Sequence, residues 1–303
     1  AICDACHLAG ESRVTNPGKR IEDFRPGMAL EDVFTIYVAR KNADDTILRS
    51  NSHAEELAAS RCSIVSKEKL WCGTCHDSHR EPTEKTKAAW YREKCVECHM
   101  GEPAEMHKRK VGTDCVSCHM PKQRPFDGSH ASRTDHWIRT KKSEEKFIDR
   151  GELLRAWREP AEKLRNRNLA LAYLTNAERT RSLRRLREGL VVLNEAVKEG
   201  HRDGDVALSA GLQYLRQKTP DLALPWLQRA VEDQPANSMR RLHLAAALAN
   251  LKKTEEAKRE VMEAIRIEPL LEQAYNLLAQ IEPARASYWK DQYRKAAPKR
   301  LLP

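Results

Sequence analysis

Eight of the nine cysteines in this 303-residue chain fall into four copies of one pattern: Cys3-Asp-Ala-Cys6-His7, Cys72-Gly-Thr-Cys75-His76, Cys95-Val-Glu-Cys98-His99 and Cys115-Val-Ser-Cys118-His119. Only Cys62 stands outside. Residue frequencies alone give roughly 0.01 chance matches over a chain of this length, so the repetition is chemical. Two thiols at this spacing can each add to a vinyl group of one porphyrin, and the imidazole that follows can take the proximal side of the iron. CxxCH is the attachment signature of c-type haem. Structural zinc also uses CxxC pairs but needs no histidine directly after every second cysteine. A disulfide framework needs none either. The expected cofactors are therefore four covalent haem c groups, held by Cys3, Cys6, Cys72, Cys75, Cys95, Cys98, Cys115 and Cys118, with His7, His76, His99 and His119 as proximal iron ligands.

The distal ligands separate an electron carrier from an enzyme, because a haem that only passes electrons usually has both axial positions filled. Outside the motifs the front half offers His53, His79, His107, His130 and His136, five imidazoles for four places. Every iron can be saturated. His79 lies three residues past His76, too close to cap its own iron but placed to reach a neighbouring haem. His130 and His136 follow the last motif, where a returning chain could supply two ligands, and His53 sits in the long gap between the first two motifs. The expected set is His53, His79, His130 and His136, with His107 in reserve. Met100, Met106 and Met120 are alternatives, although Met100 and Met120 directly follow motif histidines and reach their own distal faces poorly. Cys62 reads as a buried or free thiol.

These residues need elements to place them. The motifs start at 3, 72, 95 and 115, so the last three share under fifty residues, too little chain to build an apolar core of its own. Macrocycles packed close together must supply most of the buried surface there. Residues 84–94 read as a short helix whose Trp90 and Tyr91 pack against a porphyrin. All nine cysteines precede residue 119 and nine of eleven histidines precede residue 137, which divides the chain into a Cys/His-rich front and a Cys-free back. The expected domains are a haem-packed, loop-rich unit over 1–140, a helical connector over 141–164 and a helical repeat unit over 165–303.

The back half carries a 34-residue period. Pro235 and Pro269, Ala230 and Ala264, Ala223 and Ala257, Leu227 and Val261, Gly211 and Ala245, and Tyr214 and Leu248 are each 34 apart. Ala177, Gly189, Leu193 and Ala196 continue the series backwards. Small residues where two helices cross, large apolar ones between them and a proline after the second helix make the tetratricopeptide pattern. The units read as about 170–203, 204–237 and 238–271, then a helix pair to about 297, with Trp226 and Tyr275 in the repeat core. The first unit is degenerate, with Thr180 and His201 at the Tyr214 and Pro235 positions. The fold class is thus mostly α: a multihaem domain followed by an α-helical solenoid.

Of the net charge of +10, the first 150 residues carry +2 and the rest +8. Haem propionates would turn the front acidic. The basic run Arg179, Arg181, Arg184, Arg185 and Arg187 suits an acidic partner or a propionate-lined edge, against the plain alternative of a solvated helix face. Nucleic acid is disfavoured because the basic residues lack interleaved aromatics. The longest mostly apolar stretch, Leu242–Leu251, is half the length of a membrane span and contains His243, which with a mean hydropathy of −0.72 argues against a spanning segment.

Taken together, Ser60-Arg-Cys62, Cys72-Gly-Thr-Cys75-His76-Asp-Ser-His79, Cys115-Val-Ser-Cys118-His119-Met-Pro-Lys122 and Thr134-Asp-His136-Trp-Ile138 resemble multihaem c-type cytochromes of the paired CxxCH family fused to tetratricopeptide repeats, over nearly the whole chain. Members often carry further haems upstream. The resemblance implies this fold and cofactor; with enough histidines to saturate every iron, the expected function is that of an electron carrier, not an enzyme, whose repeat domain docks a redox donor or acceptor or copies of itself. Two alternatives accompany it: a subunit of an extracellular cytochrome filament, a nanowire, and a multihaem reductase with one open haem. The family's nitrite-reducing branch uses a CxxCK motif, which this chain lacks. Haem attachment takes place outside the cytoplasm, so the expected location is periplasmic or extracellular, with a leader removed just before Cys3 or a longer N-terminal region preceding it.

Overall fold

The computed structural model describes residues 2–39, 50–67, 69–99, 114–125, 127–128, 130–139 and 153–297. It is mostly helical and divides into two compact units, residues 1–162 and 163–303. Among the described residues no helix is long and apolar enough to cross a membrane.

The front unit contains a small antiparallel sheet that a loop-rich expectation misses. Strand β1 (Ser12–Thr15) pairs with β2 (Phe34–Ala39), Ser12 opposite Tyr37 and Thr15 opposite Phe34. The other edge of β2 takes β5 (Leu154–Ala156), with Tyr37 opposite Ala156 and Ala39 opposite Leu154. The expected helical connector over 141–164 is thus corrected within its described part. Leu154 points into the core and Arg155 out, as strand alternation requires, and only Glu162–Leu164 form a helical turn. β2 is buried along Phe34–Tyr37 and packs with Leu8, Leu30, Val33 and Ala54. Gly10 is a glycine of necessity, at φ +63° with a Cβ position only 2.4 Å from Ile36 Cγ2.

The segment carrying three motifs behaves differently. Among the described residues of 69–99 and 114–124 none is buried, as expected for chain too thin to enclose itself. The motifs are short helical turns: α1 (Ile2–His7), α4 (Cys72–Cys75) and α6 (Cys115–His119), with Cys95 in the last turn of α5 (Lys87–Val96). Helices α2 (His53–Ala59) and α3 (Arg61–Val65) precede the second motif. A two-stranded ladder of β3 (Lys122–Gln123) and β4 (Arg133–Thr134) closes the chain after the fourth.

Among its described residues the back unit has four helix pairs: α7 (Arg165–Thr180) with α8 (Leu183–Lys198), α9 (Gly204–Arg216) with α10 (Pro220–Asp233), α11 (Ser238–Asn250) with α12 (Thr254–Ile267), and α13 (Glu272–Ile281) with α14 (Ala286–Ala296). The starts of α9, α11 and α13 are 34 residues apart, as are those of α10 and α12. Lys218 and Lys252, also 34 apart, take the left-handed conformation that ends the first helix of each pair. The repeat alanines Ala196, Ala223, Ala230, Ala257 and Ala264 are fully buried. In the degenerate first unit α7 starts at 165, ahead of the expected 170, and His201 at the proline position contacts the Lys163 carbonyl at 2.8 Å.

Several charges inside this unit are internal. Arg167, fully buried, pairs with Asp203 at 2.7 Å and Asp205 at 3.0 Å; Arg240 pairs with Asp205 at 2.6 Å and Asp233 at 3.0 Å. Arg185, within the basic run, is buried with its guanidinium 5.7 Å from the centroid of Tyr173. The run is therefore not one docking face. Trp226 is half-buried beneath Arg202, 5.0 Å from its ring, and not in the repeat core, whereas Tyr275 is buried with its hydroxyl donating to the Pro269 carbonyl.

Candidate functional site

The front unit draws four imidazoles together from four distant parts of the chain. His7 and His53 meet edge to face at 4.9 Å between ring centroids, and His53 meets His136 at 4.7 Å. His76 stacks near-parallel to His136 at 6.1 Å and 26°. Two are motif histidines and two belong to the expected distal set. His79, His99 and His130 are exposed and join no ring pair among the described residues, so the structure does not bring the other half of that set against a motif histidine. The reserve His107 lies outside the described residues, as do Met100 and Met106.

The thiols pair across motifs. Burial, with the neighbouring Cys3 thiol, pushes Cys72 up to about 11. Burial and the neighbouring Cys115 thiol do the same to Cys95. Cys75 and Cys62 are also raised, burial first, and each senses the Cys98 thiol. The first motif therefore touches the second and the third touches the fourth. None of the nine cysteines is joined to another in a disulfide. Among the described residues no group of three or more His, Cys, Asp or Glu side chains converges as a metal cage.

Local structure aims the imidazoles. His136 Nδ1 lies 2.9 Å from the Thr134 carbonyl and His119 Nδ1 lies 3.1 Å from the Arg139 carbonyl. Donation through Nδ1–H leaves Nε2 as the free ligand atom. His76 Nδ1 is 3.3 Å from the Tyr91 hydroxyl, and Trp90 Nε1–H donates to the Cys75 carbonyl at 3.4 Å, so helix α5 braces the second motif with the aromatic pair expected to pack on a porphyrin. His53 Nδ1 is buried with no hydrogen-bond partner. Burial, with Arg133 adding, pushes His53 down to about 3, and burial also lowers His76 and His136. These imidazoles are neutral near pH 7, the state in which they bind iron.

The residues fit c-type haem. Paired thiols precede each motif histidine, neutral imidazoles present a free nitrogen, and Ile2 and Trp71, each directly before the first cysteine of a motif, are more than half exposed and suited to cover a macrocycle. The sequence reading missed the carboxylates behind this arrangement. Glu55 accepts from the backbone N–H of Gly10 at 2.8 Å and of Ala9 at 3.3 Å, fixing the chain after the first motif. Glu56 accepts from the His136 backbone N–H at 3.1 Å. Trp137 donates its indole N–H to the Ala59 carbonyl at 3.0 Å, and buried Asp135 accepts from the Trp137 backbone N–H and from Gln123. Only Ser52 and Glu56, one helical turn apart, hinted at a polar pair.

Residues 64–104 match the family described as the doubled CXXCH motif. No curated protein matches the chain. Among solved structures, MamA from Desulfovibrio magneticus RS-1 is 17% identical over 45% of this chain and 73% of its own, with a TM-score of 0.37. MamA of MSR-1 is 23% identical over 45% and 75%, with a TM-score of 0.36. The tetratricopeptide protein YrrB is 20% identical over 46% and 70%, with a TM-score of 0.39. The repeat assignment rests on the 34-residue helix pairs themselves. The chain thus joins a doubled CXXCH segment that attaches haem c to a solenoid of tetratricopeptide-type helix pairs.

Proposed function

We propose that this chain is a four-haem electron carrier whose repeat unit docks or assembles it. The carrying observation is the motif itself, four times over, with two expected distal histidines, His53 and His136, drawn against two motif histidines. Each attached haem supplies a one-electron couple. The chain's own part is placement. Eight thiols anchor, the carbonyl-bound Nδ1 atoms of His119 and His136 leave Nε2 for iron, and the neighbouring thiols of Cys3 and Cys72 and of Cys95 and Cys115 put successive attachment points side by side, which favours electron hopping. His79 and His130 remain the proposed ligands for the third and fourth motifs. Covalent attachment of this kind supports a periplasmic or extracellular location.

The solenoid has no cysteine and only His201 and His243, of which His201 is spent on a backbone carbonyl. It is built from helix pairs, an architecture that presents long surfaces to partners. The proposed partners are a redox protein or copies of the chain, the latter arrangement being a conducting filament. Carbon monoxide tests whether the protein is a carrier or a reductase. Spectra of the reduced full-length protein should change little on adding it, because saturated irons have no site to offer. Rapid binding of about one equivalent would move the assignment to a reductase.

A further inference from the structure

Glu56 is a carboxylate with 1% of its side chain exposed, in a unit whose motifs are otherwise open to solvent. Its partners come from three places. Oε1 accepts from Ser52 Oγ at 2.6 Å and from Arg133 Nη2; Oε2 accepts from Arg133 Nη1 at 3.0 Å and from the His136 backbone N–H at 3.1 Å. Arg133 Nη2 also donates to Ser52 Oγ at 2.9 Å, closing the cluster. Ser52 directly precedes His53 at the start of α2 and Glu56 lies on that helix three residues after it, while Arg133 and His136 lie on the segment that follows the fourth motif. The carboxylate therefore sits between the two elements that carry His53 and His136, whose rings are 4.7 Å apart.

We propose that Glu56 is a positioning residue, which holds His53 and His136 in fixed register so that they face His7 and His76 as axial partners. The inference rests on the haem reading above and adds to it a residue that touches neither iron nor porphyrin. Without Glu56, His136 loses the bond to its own backbone. It keeps the one at Thr134, which ties it to the fourth motif through the β3–β4 ladder, and of the bonds in this cluster only the one from Arg133 to the neutral Ser52 hydroxyl still joins that ladder to the start of α2. Arg133 would be left buried and uncompensated, which drives the two elements apart. The alternative is that the ion pair serves only folding. In that case its loss lowers the melting temperature and leaves the coordination of the folded protein unchanged.

The test uses the full-length haem protein with Glu56→Ala, Glu56→Gln and Arg133→Met, reading haem count by intact mass, spin state by optical spectra and carbon monoxide bound per chain. With E56A, carbon monoxide binding should rise from near zero to about one or two per chain at unchanged haem count, as a high-spin fraction appears. E56Q should restore most of the six-coordinate spectrum, because its amide oxygen still accepts from the His136 N–H. If E56A does not accumulate, R133M carries the test, since it removes the clamp and leaves that acceptor, and partial carbon monoxide binding is expected. A fully six-coordinate, carbon monoxide-inert E56A or R133M protein with its haems in place overturns the proposal. Wild-type protein that lacks haem or binds carbon monoxide overturns the underlying reading instead.

Discussion

Gly211 and Leu227 face one another where α9 crosses α10, and their counterparts one repeat later are Ala245 and Val261. Between the two repeats one carbon has moved from the second helix to the first. A Cβ on Gly211 would lie 2.6 Å from Leu227 Cγ, against about 3.5–4.0 Å for an ordinary carbon contact, and Leu227 is fully buried. Gly211→Ala thus gains about 1 kcal/mol of helix propensity and loses about 1–3 kcal/mol to overpacking. The net is a destabilisation of about 1 kcal/mol. Leu227→Val removes a buried carbon and costs about 1 kcal/mol. The double variant rebuilds the pair used by the next repeat and should unfold within about 0.5 kcal/mol of wild type, a coupling of about 2 kcal/mol. Hydrogen exchange of α9 and α10 amides in the full-length protein isolates this unit from the front. Single-variant costs that simply add, to within about 0.3 kcal/mol, would refute the assignment of the small residue at the crossing.

Acid should loosen the back unit through Asp203. Burial pushes its carboxyl up, but the hydrogen bond and charge of Arg167 outweigh that and hold it below its usual 3.8. Its contribution is therefore present above 3.8 and lost as pH falls below that value through the depressed native one. Asp203→Asn, which keeps the helix cap, should flatten the fall in far-UV circular dichroism melting temperature below about pH 4. Removing residues 163–303 should leave haem count and spectra unchanged but weaken self-association or partner binding in sedimentation; equal assembly by the truncated protein would remove the docking role.

The parts legible in the sequence are those where chemistry or geometry imposes a spacing. Two thioethers and a ligand fix CxxCH, and crossing helices fix small residues 34 apart. The sheet was not legible, because β2 is buried as a run, Phe34 to Tyr37, without clean alternation, and its partner β5 is three residues long and more than a hundred positions away. Buried charge was equally hidden. Nothing in the sequence marks Glu55, Glu56, Arg167 or Arg240 as buried, and Arg185 sits in a run whose plain reading is a solvated helix face. The distal histidines divide the same way. Of the four expected distal histidines, His53 and His136 stand beside motif histidines, and the bonds that Glu55 accepts from the Gly10 N–H and Glu56 from the His136 N–H, which join α2 to the segments around it, leave no mark in the sequence.

Intact mass spectrometry of the denatured full-length protein tests the central claim most directly. Thioether bonds survive denaturation, while coordinate bonds to zinc do not. The account predicts one species at the polypeptide mass plus four haems. Fewer than four, or a bare polypeptide from protein that carried zinc when native, would contradict it.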